Sequence, residues 1–227
     1  MVLTFFEKNQ ETKNVISFKF KSKEPINWKP GQYLFYTLPN DNPDNRGVTR
    51  YFTISSAPFE KDIMITTRIS IPSSTFKKSL LDMKIGETIE ASGPDGDFII
   101  DDHKMNYIFI AGGIGITPFR SILLELNHEN KPINVQLLYA NRDQDIVFKD
   151  ELESLIEKSK NFKINYFISP NRINKKILST MNSELITHNF FVSGPQPFVE
   201  SYSQILKNIG IKKERIKLDH FPGYTSE

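Results

Sequence analysis

The feature that most constrains this chain is a change of hydrophobic period near residue 105. Before it, apolar Ile16, Phe18 and Phe20 alternate with polar Ser17, Lys19 and Lys21, the period of two that sends successive side chains to opposite faces of a strand. Similar runs follow at 32–38, 49–55, 62–71 and 87–91, divided by turn formers at Pro30-Gly31, 39–47, Ala57-Pro58 and Gly93 to Gly96. That spacing predicts an antiparallel β-barrel or sandwich. One helix interrupts it: Ser73, Ser74 and Thr75 are N-cap candidates, and Phe76, Leu80 and Met83 recur on one helical face.

After residue 105, apolar strands at 107–111, 133–139, 162–168 and 190–192 alternate with helical stripes. The stripes are Phe119, Ile122, Leu123 and Leu126; then Phe148, Leu152, Leu155 and Ile156; and last Phe198, Tyr202, Ile205, Leu206 and Ile209. Such alternation predicts an α/β, Rossmann-like parallel sheet covered on both faces. The expectation is two domains, 1–100 and 101–227, joined near 99–105. Composition narrows the function classes. With 29 basic and 27 acidic residues, no strong attraction to nucleic acid or anionic lipid is expected. The absence of cysteine excludes disulfides, thiolate catalysis and a cysteine-held iron–sulfur cluster within these 227 residues. Four dispersed histidines predict no metal site, and no apolar run reaches the roughly 18 residues of a membrane span. A cytoplasmic protein is expected.

The most informative local sequence is Ala111-Gly112-Gly113-Ile114-Gly115-Ile116-Thr117-Pro118, between a predicted strand and a predicted helix. Glycines let backbone approach a ligand, and a helix start presents free N–H groups to phosphate. The segment reads either as a dinucleotide loop, with Pro118 replacing the third glycine of GxGxxG, or as a tight structural turn. At the end of the next strand stand Asn141 and Arg142 where an acidic ribose ligand is usual. A guanidinium there can clasp a 2′-phosphate, with Arg172 as a second clasp, or Arg142 can pair with Asp143 or Asp145. Ser193-Gly194-Pro195-Gln196-Pro197 repeats the strand-to-helix turn later in the sheet.

In the first half, Arg50-Tyr51-Phe52-Thr53 combines a phosphate-binding cation, aromatic rings and a hydroxyl. Taken with Pro30-Gly31-Gln32-Tyr33, Ser74-Thr75-Phe76-Lys77, Gly93-Pro94-Asp95-Gly96-Asp97-Phe98 and the Gly113 loop, the order and spacing over nearly the whole chain resemble the ferredoxin–NADP reductase family. The resemblance implies an FAD-binding antiparallel barrel followed by an NAD(P)-binding domain, with flavin and nicotinamide meeting between them. It implies that Arg50 pairs with an FAD phosphate, that Phe52, where the family more often has tyrosine, lies against the isoalloxazine, and that Thr53 hydrogen-bonds near flavin N5. Tyr51 and Arg68 join the cofactor-binding set. Ser74, Thr75 and Phe76 form the pyrophosphate cradle, Gly113, Gly115 and Thr117 the nucleotide loop and flavin edge, and Gly194 and Pro195 the nicotinamide side. Ser193 replaces the cysteine common in the family. Asp219 is the terminal acid, and Phe221, or else Tyr224, the aromatic covering the flavin. The implied activity is hydride transfer from NADPH or NADH to FAD, with electrons passed to a separate ferredoxin or flavodoxin; free flavin or another diffusible oxidant is the alternative acceptor. A flavin-binding electron-transfer or sensing subunit without efficient turnover is the rival. Lys21, Lys23, Lys77 and Lys78 are either part of a docking face for an acidic carrier or solvated surface positions.

Overall fold

A computed structural model describes residues 1–180 and 188–221. In the first half, β1 (Val2–Thr12), β2 (Val15–Ser22), β3 (Tyr33–Thr37), β4 (Thr49–Thr53), β5 (Ile63–Arg68) and β6 (Thr88–Asp95) form one antiparallel sheet in the order β4-β3-β6-β1-β2-β5. Its inward side chains, Phe18, Phe20, Leu34, Tyr36, Ile65 and Ile89, are almost entirely removed from water. Helix α1 (Thr75–Asp82) adds Phe76 and Leu80 to that core. The expected barrel is a curled sheet. Edge strands β4 and β5 do not pair along their length, and just past β4 the Ser55 N–H donates to the Met64 carbonyl at 2.9 Å.

In the second half, β7 (Asn106–Gly112), β8 (Val135–Asn141), β9 (Lys163–Ile168), β10 (His188–Pro195) and β11 (Ile216–Phe221) make a parallel sheet in the order β11-β10-β7-β8-β9. Helices α2 (Thr117–His128) and α3 (Lys149–Lys158) cover one face, packing Phe119, Ile122, Leu123, Leu152 and Leu155 against Tyr107, Phe109 and Leu137. Helices α4 (Lys175–Thr180) and α5 (Gln196–Asn208) cover the other, with Leu178, Val199, Tyr202 and Leu206 against Ile108, Ile110 and Val192. Odd and even residues of β7 thus serve opposite cores, the pattern of a strand buried on both faces. The chain builds outward from β7 through β8 to β9, then crosses back to β10 and β11. This reversal lies between β7 and β10, where open α/β sheets form a crevice at their carboxyl edge.

Three elements escape the sequence pattern. Strand β1 carries a register shift between Phe5 and Glu7, so its apolar residues fall out of simple alternation. Strand β11 is a half-exposed edge whose strand character comes from pairing with β10. Helix α4 is too short for a stripe to repeat. The two halves also share more than a linker: Val15, Ala57, Met64 and Phe98 of the first half belong to the same buried cluster as Phe119 and Phe191 of the second.

Candidate functional site

Two groups of residues make the site, one on each half. The first gathers at the start of α1. Ser74 caps the helix by accepting from the Lys77 N–H at 3.3 Å, as expected of an N-cap, and Thr75 opens the first turn. Arg50 and Phe52, two residues apart on β4, share the face that looks towards this turn. The Phe52 ring packs on Phe76 at 5.7 Å and on Tyr36 at 6.0 Å, and the Arg50 guanidinium lies 5.8 Å from the Phe76 ring. An anion already rests there: the Asp44 carboxylate accepts from Arg50 Nη2 and from both the N–H and the hydroxyl of Thr75. Against burial, which pushes it up, the hydrogen bond from the Arg46 N–H, the Arg50 guanidinium and the Thr75 hydroxyl together hold the Asp44 carboxyl below its ordinary range. Arg50 Nη1 is used by the carbonyls of Arg46, Gly47 and Thr49. Two buried groups nearby have no partner, Arg50 Nε and Ser73 Oγ. A helix N-terminus, a cation and two unpartnered donors suit the pyrophosphate of FAD.

The second group sits at the β7/β10 switch point. A 3₁₀ turn, Gly113–Ile116, runs directly into α2. Its glycines do different jobs. Gly113, with φ of +54°, faces open space, and a Cβ there would meet only Arg68 Nη2 at 3.8 Å, so Arg68 at the end of β5 looks into the loop. A Cβ on Gly115 would lie 2.3 Å from the Ser193 carbonyl, and Cβ atoms on Gly112 and Gly194 would press on the Phe198 ring. The loop is therefore both of the things its sequence allowed: Gly112 and Gly115 close the packing of β7, β10 and α5, while Gly113 leaves room for a ligand. Thr117 is buried with its hydroxyl donating to the Ile114 carbonyl at 3.2 Å, turned into its own loop.

On adjacent parallel strands, Ser193 and Asp219 are register partners, and the fully buried Ser193 hydroxyl donates to Asp219 Oδ2 at 2.8 Å. Burial pushes the Asp219 carboxyl above the ordinary aspartate range, opposed by the Ser193 hydrogen bond and by His220. The two groups of residues meet here. Tyr51 donates its hydroxyl to the His220 carbonyl at 3.1 Å across the halves, and Tyr33 stacks obliquely on Tyr51 with ring centroids 5.4 Å apart. Both tyrosine hydroxyls are pushed up, chiefly by burial, with a contribution from Asp219. Thr53, the register partner of Tyr33, ends β4 beside this junction. Phe221 is paired in register with Pro195; Tyr224 lies outside the described residues.

Asn141 ends β8 at the same carboxyl edge, one residue past the Gly112–Ala140 pair. Arg142 is exposed, and its expected rivals are engaged elsewhere: Asp145 accepts from the Lys13 N–H and Asp143 from the Asp145 N–H. Arg172 is exposed after β9, close enough to Tyr202 to affect its hydroxyl. Lys77 is a correction to the docking-face reading, because its ammonium is committed to the Arg68 carbonyl at 2.8 Å. Two residues of this region carry little signal in the sequence: Asp44, which lies in the 39–47 turn, and Arg120, a single charge at the margin of the α2 apolar stripe.

Two family models match successive parts of the chain. Residues 3–100 match the family model of the oxidoreductase FAD-binding domain, and residues 109–204 that of the oxidoreductase NAD-binding domain. The chain is 28% identical over 247 residues to flavohemoprotein B of Dictyostelium discoideum, covering 95% of this chain and 58% of the relative. It is 26% identical over 218 residues to the glycine betaine monooxygenase reductase subunit of Chromohalobacter salexigens, covering 88% and 58%. It thus spans somewhat over half the length of these curated relatives. Ferredoxin-NADP+ reductase from Plasmodium falciparum has the same fold, with a TM-score of 0.81 at 19% identity over 97% of this chain and 95% of that one.

Proposed function

Starting from the fact that the chain belongs to the ferredoxin–NADP reductase-like oxidoreductases, an FAD-binding domain followed by an NAD-binding domain, we propose that it oxidises NAD(P)H through bound FAD and delivers the electrons to a separate redox protein. The observation that carries this reading is the junction itself: the anion-binding start of α1 and the open Gly113 turn belong to different halves, yet Tyr51 and His220 tie those halves together beside the Ser193–Asp219 pair. FAD, when bound, supplies the chemistry of taking two electrons as hydride and releasing them singly. The chain's residues bind and orient. Arg50 Nε and Ser73 Oγ, the two donors without a partner, would hold the pyrophosphate, the Thr75 N–H joining them only where phosphate displaces the Asp44 carboxylate, and Phe52 would give the apolar surface for the ring system. Thr53 supplies a hydroxyl at the β4 end. Gly113 and Arg68 receive the phosphates of the nucleotide, and Asn141, Arg142 and Arg172 favour a 2′-phosphate and hence NADPH. Asp219, whose carboxyl burial raises above the ordinary aspartate range, stands at the crevice with Ser193 as its hydrogen-bond donor.

A second reading, flavin binding without rapid nucleotide turnover, draws on Ser193, which is wholly buried and committed to Asp219. One experiment separates the two. The FAD-loaded protein is mixed anaerobically with NADPH and with NADH in parallel; bleaching of the flavin absorbance within seconds, faster with NADPH, is expected. Slow or absent bleaching of a yellow protein leaves the second reading standing. A colourless protein that cannot be loaded with FAD and leaves NADPH unoxidised in the presence of ferricyanide defeats both.

A further inference from the structure

Arg120 lies on the second turn of α2, just past the glycine turn, and is 6% exposed. A guanidinium has five N–H donors in one plane, and here all five are used. Nε donates to Glu151 Oε2 at 2.6 Å and Nη2 to Glu151 Oε1 at 2.7 Å, a bidentate grip on α3. Nη1 and Nη2 also donate to Glu60 Oε2 and Oε1 at 2.8 and 3.0 Å, and Nη1 donates to the Ser55 carbonyl at 2.8 Å. The ring of Phe148 lies beneath, 5.0 Å from the guanidinium carbon. Glu151 belongs to the nucleotide half; Glu60 and Ser55 belong to the flavin half. Next along the helix, Ser121 donates its hydroxyl to the Ser56 carbonyl at 2.7 Å, and one turn further Glu125 Oε2 accepts from the Phe59 N–H at 3.0 Å.

The chain distances give this clamp its meaning. Ser55 is two residues past Thr53, and Arg120 is three past Thr117. The strand end that carries the flavin motif and the helix that continues the nucleotide loop are thus held by one planar cation, through short covalent paths with little slack. A surface ion pair would add little, but a buried guanidinium with all its donors used, gripping two half-buried carboxylates, fixes geometry in both distance and angle. A lysine ammonium has three donors on a point charge and cannot grip two carboxylates side by side.

We propose that Arg120 is a positioning residue for hydride transfer: by clamping Ser55 and Glu60 to α2 and α3, it sets the separation of the nicotinamide and flavin sites. It touches neither cofactor. The inference rests on the NAD(P)H–flavin reading above. Because a misplacement of about 1 Å between reacting groups costs on the order of 100-fold in rate, loosening this clamp lowers the hydride step while leaving both cofactors able to bind.

The test compares FAD-loaded wild type with Arg120→Lys and with the triple variant Arg120→Met/Glu60→Gln/Glu151→Gln, in which neither carboxylate of the clamp is left charged without its partner. Flavin reduction per bound FAD at saturating nucleotide, the long-wavelength charge-transfer absorbance on mixing, melting temperature and hydrogen exchange across 53–60 and 113–121 are measured. The expected result is a fall of tenfold or more in the saturating rate for the triple variant, an intermediate fall for Arg120→Lys, weaker charge-transfer absorbance in both, and faster exchange in the two segments. Wild-type rates and absorbance in either loaded variant, with only the melting temperature lowered, overturn the proposal and leave Arg120 a structural residue. Should the triple variant fail to hold FAD, Arg120→Lys decides alone. A wild type that neither nucleotide bleaches rejects the parent reading instead, and the exchange comparison then settles the clamp: unchanged exchange in Arg120→Lys refutes it.

Discussion

Asp219 shows how much one residue's neighbours decide. As a residue near the end of the sequence it is one acid among 27, but pairing β11 with β10 sets it against a buried serine and away from water. Because its carboxyl titrates higher in the folded protein than in the unfolded chain, its contribution to stability is complete at acid pH and is lost as pH rises through the folded value. Asp219→Asn keeps an acceptor for Ser193 and removes the charge. It should melt at the same temperature as wild type near pH 3.5 and above it at pH 7, in thermal scans across that range; an equal difference at both ends would show that burial is not what raises the group. Arg50 illustrates the limit of reading roles from a motif. Its type and place were legible, but its existing partners were not, because Asp44 reaches it from a turn whose sequence advertises only flexibility.

At the scale of elements, α1 was legible because its signals are local: a capping hydroxyl and an apolar residue one turn further on. Ser74→Ala should cost about 1 kcal/mol by leaving a first-turn N–H without its acceptor, lowering the melting temperature by about 2–4 °C, and Ser74→Asp should recover most of it. No change on Ser74→Ala would mean that the cap adds nothing beyond solvent. Strands β1 and β11 were not legible for the opposite reason. A bulge breaks the alternation of the first, and the second is polar enough to pass for a tail until the hydrogen bonds of β10 define it. The glycine loop lies between these cases. Its composition announces a sharp turn, but which glycine makes room for a ligand and which makes room for a neighbouring strand depends on what stands opposite, Ser193 for Gly115 and nothing but Arg68 for Gly113.

The whole molecule behaves as one packing unit despite its two sheets. Phe98, at the end of the first half, packs its ring 5.5 Å from Phe119 and 4.8 Å from Phe191, so part of the flavin half's apolar surface is buried by the nucleotide half. Phe98→Ala should therefore destabilise by about 3–5 kcal/mol, and calorimetry of the wild type should show one cooperative transition. Two resolved transitions would indicate that the halves unfold separately. Among the described residues no helix is long and apolar enough to cross a membrane. The sequence by itself determined what depends on neighbours along the chain: the change from period two to strand–helix alternation, the helix caps, the glycine turns, and the motif order that identifies an FAD half followed by an NAD half. The first three follow from backbone geometry repeated over a few residues, and the last from the resemblance that the order of the motifs carries. Only the tertiary structure decided which of these meet: Ser193 with Asp219, Tyr51 with His220, and Arg120 with both Glu60 and Glu151. Such contacts join positions from 26 to 169 residues apart. They follow from strand order and register, which are set by burial of the whole core and not by any local run of residues.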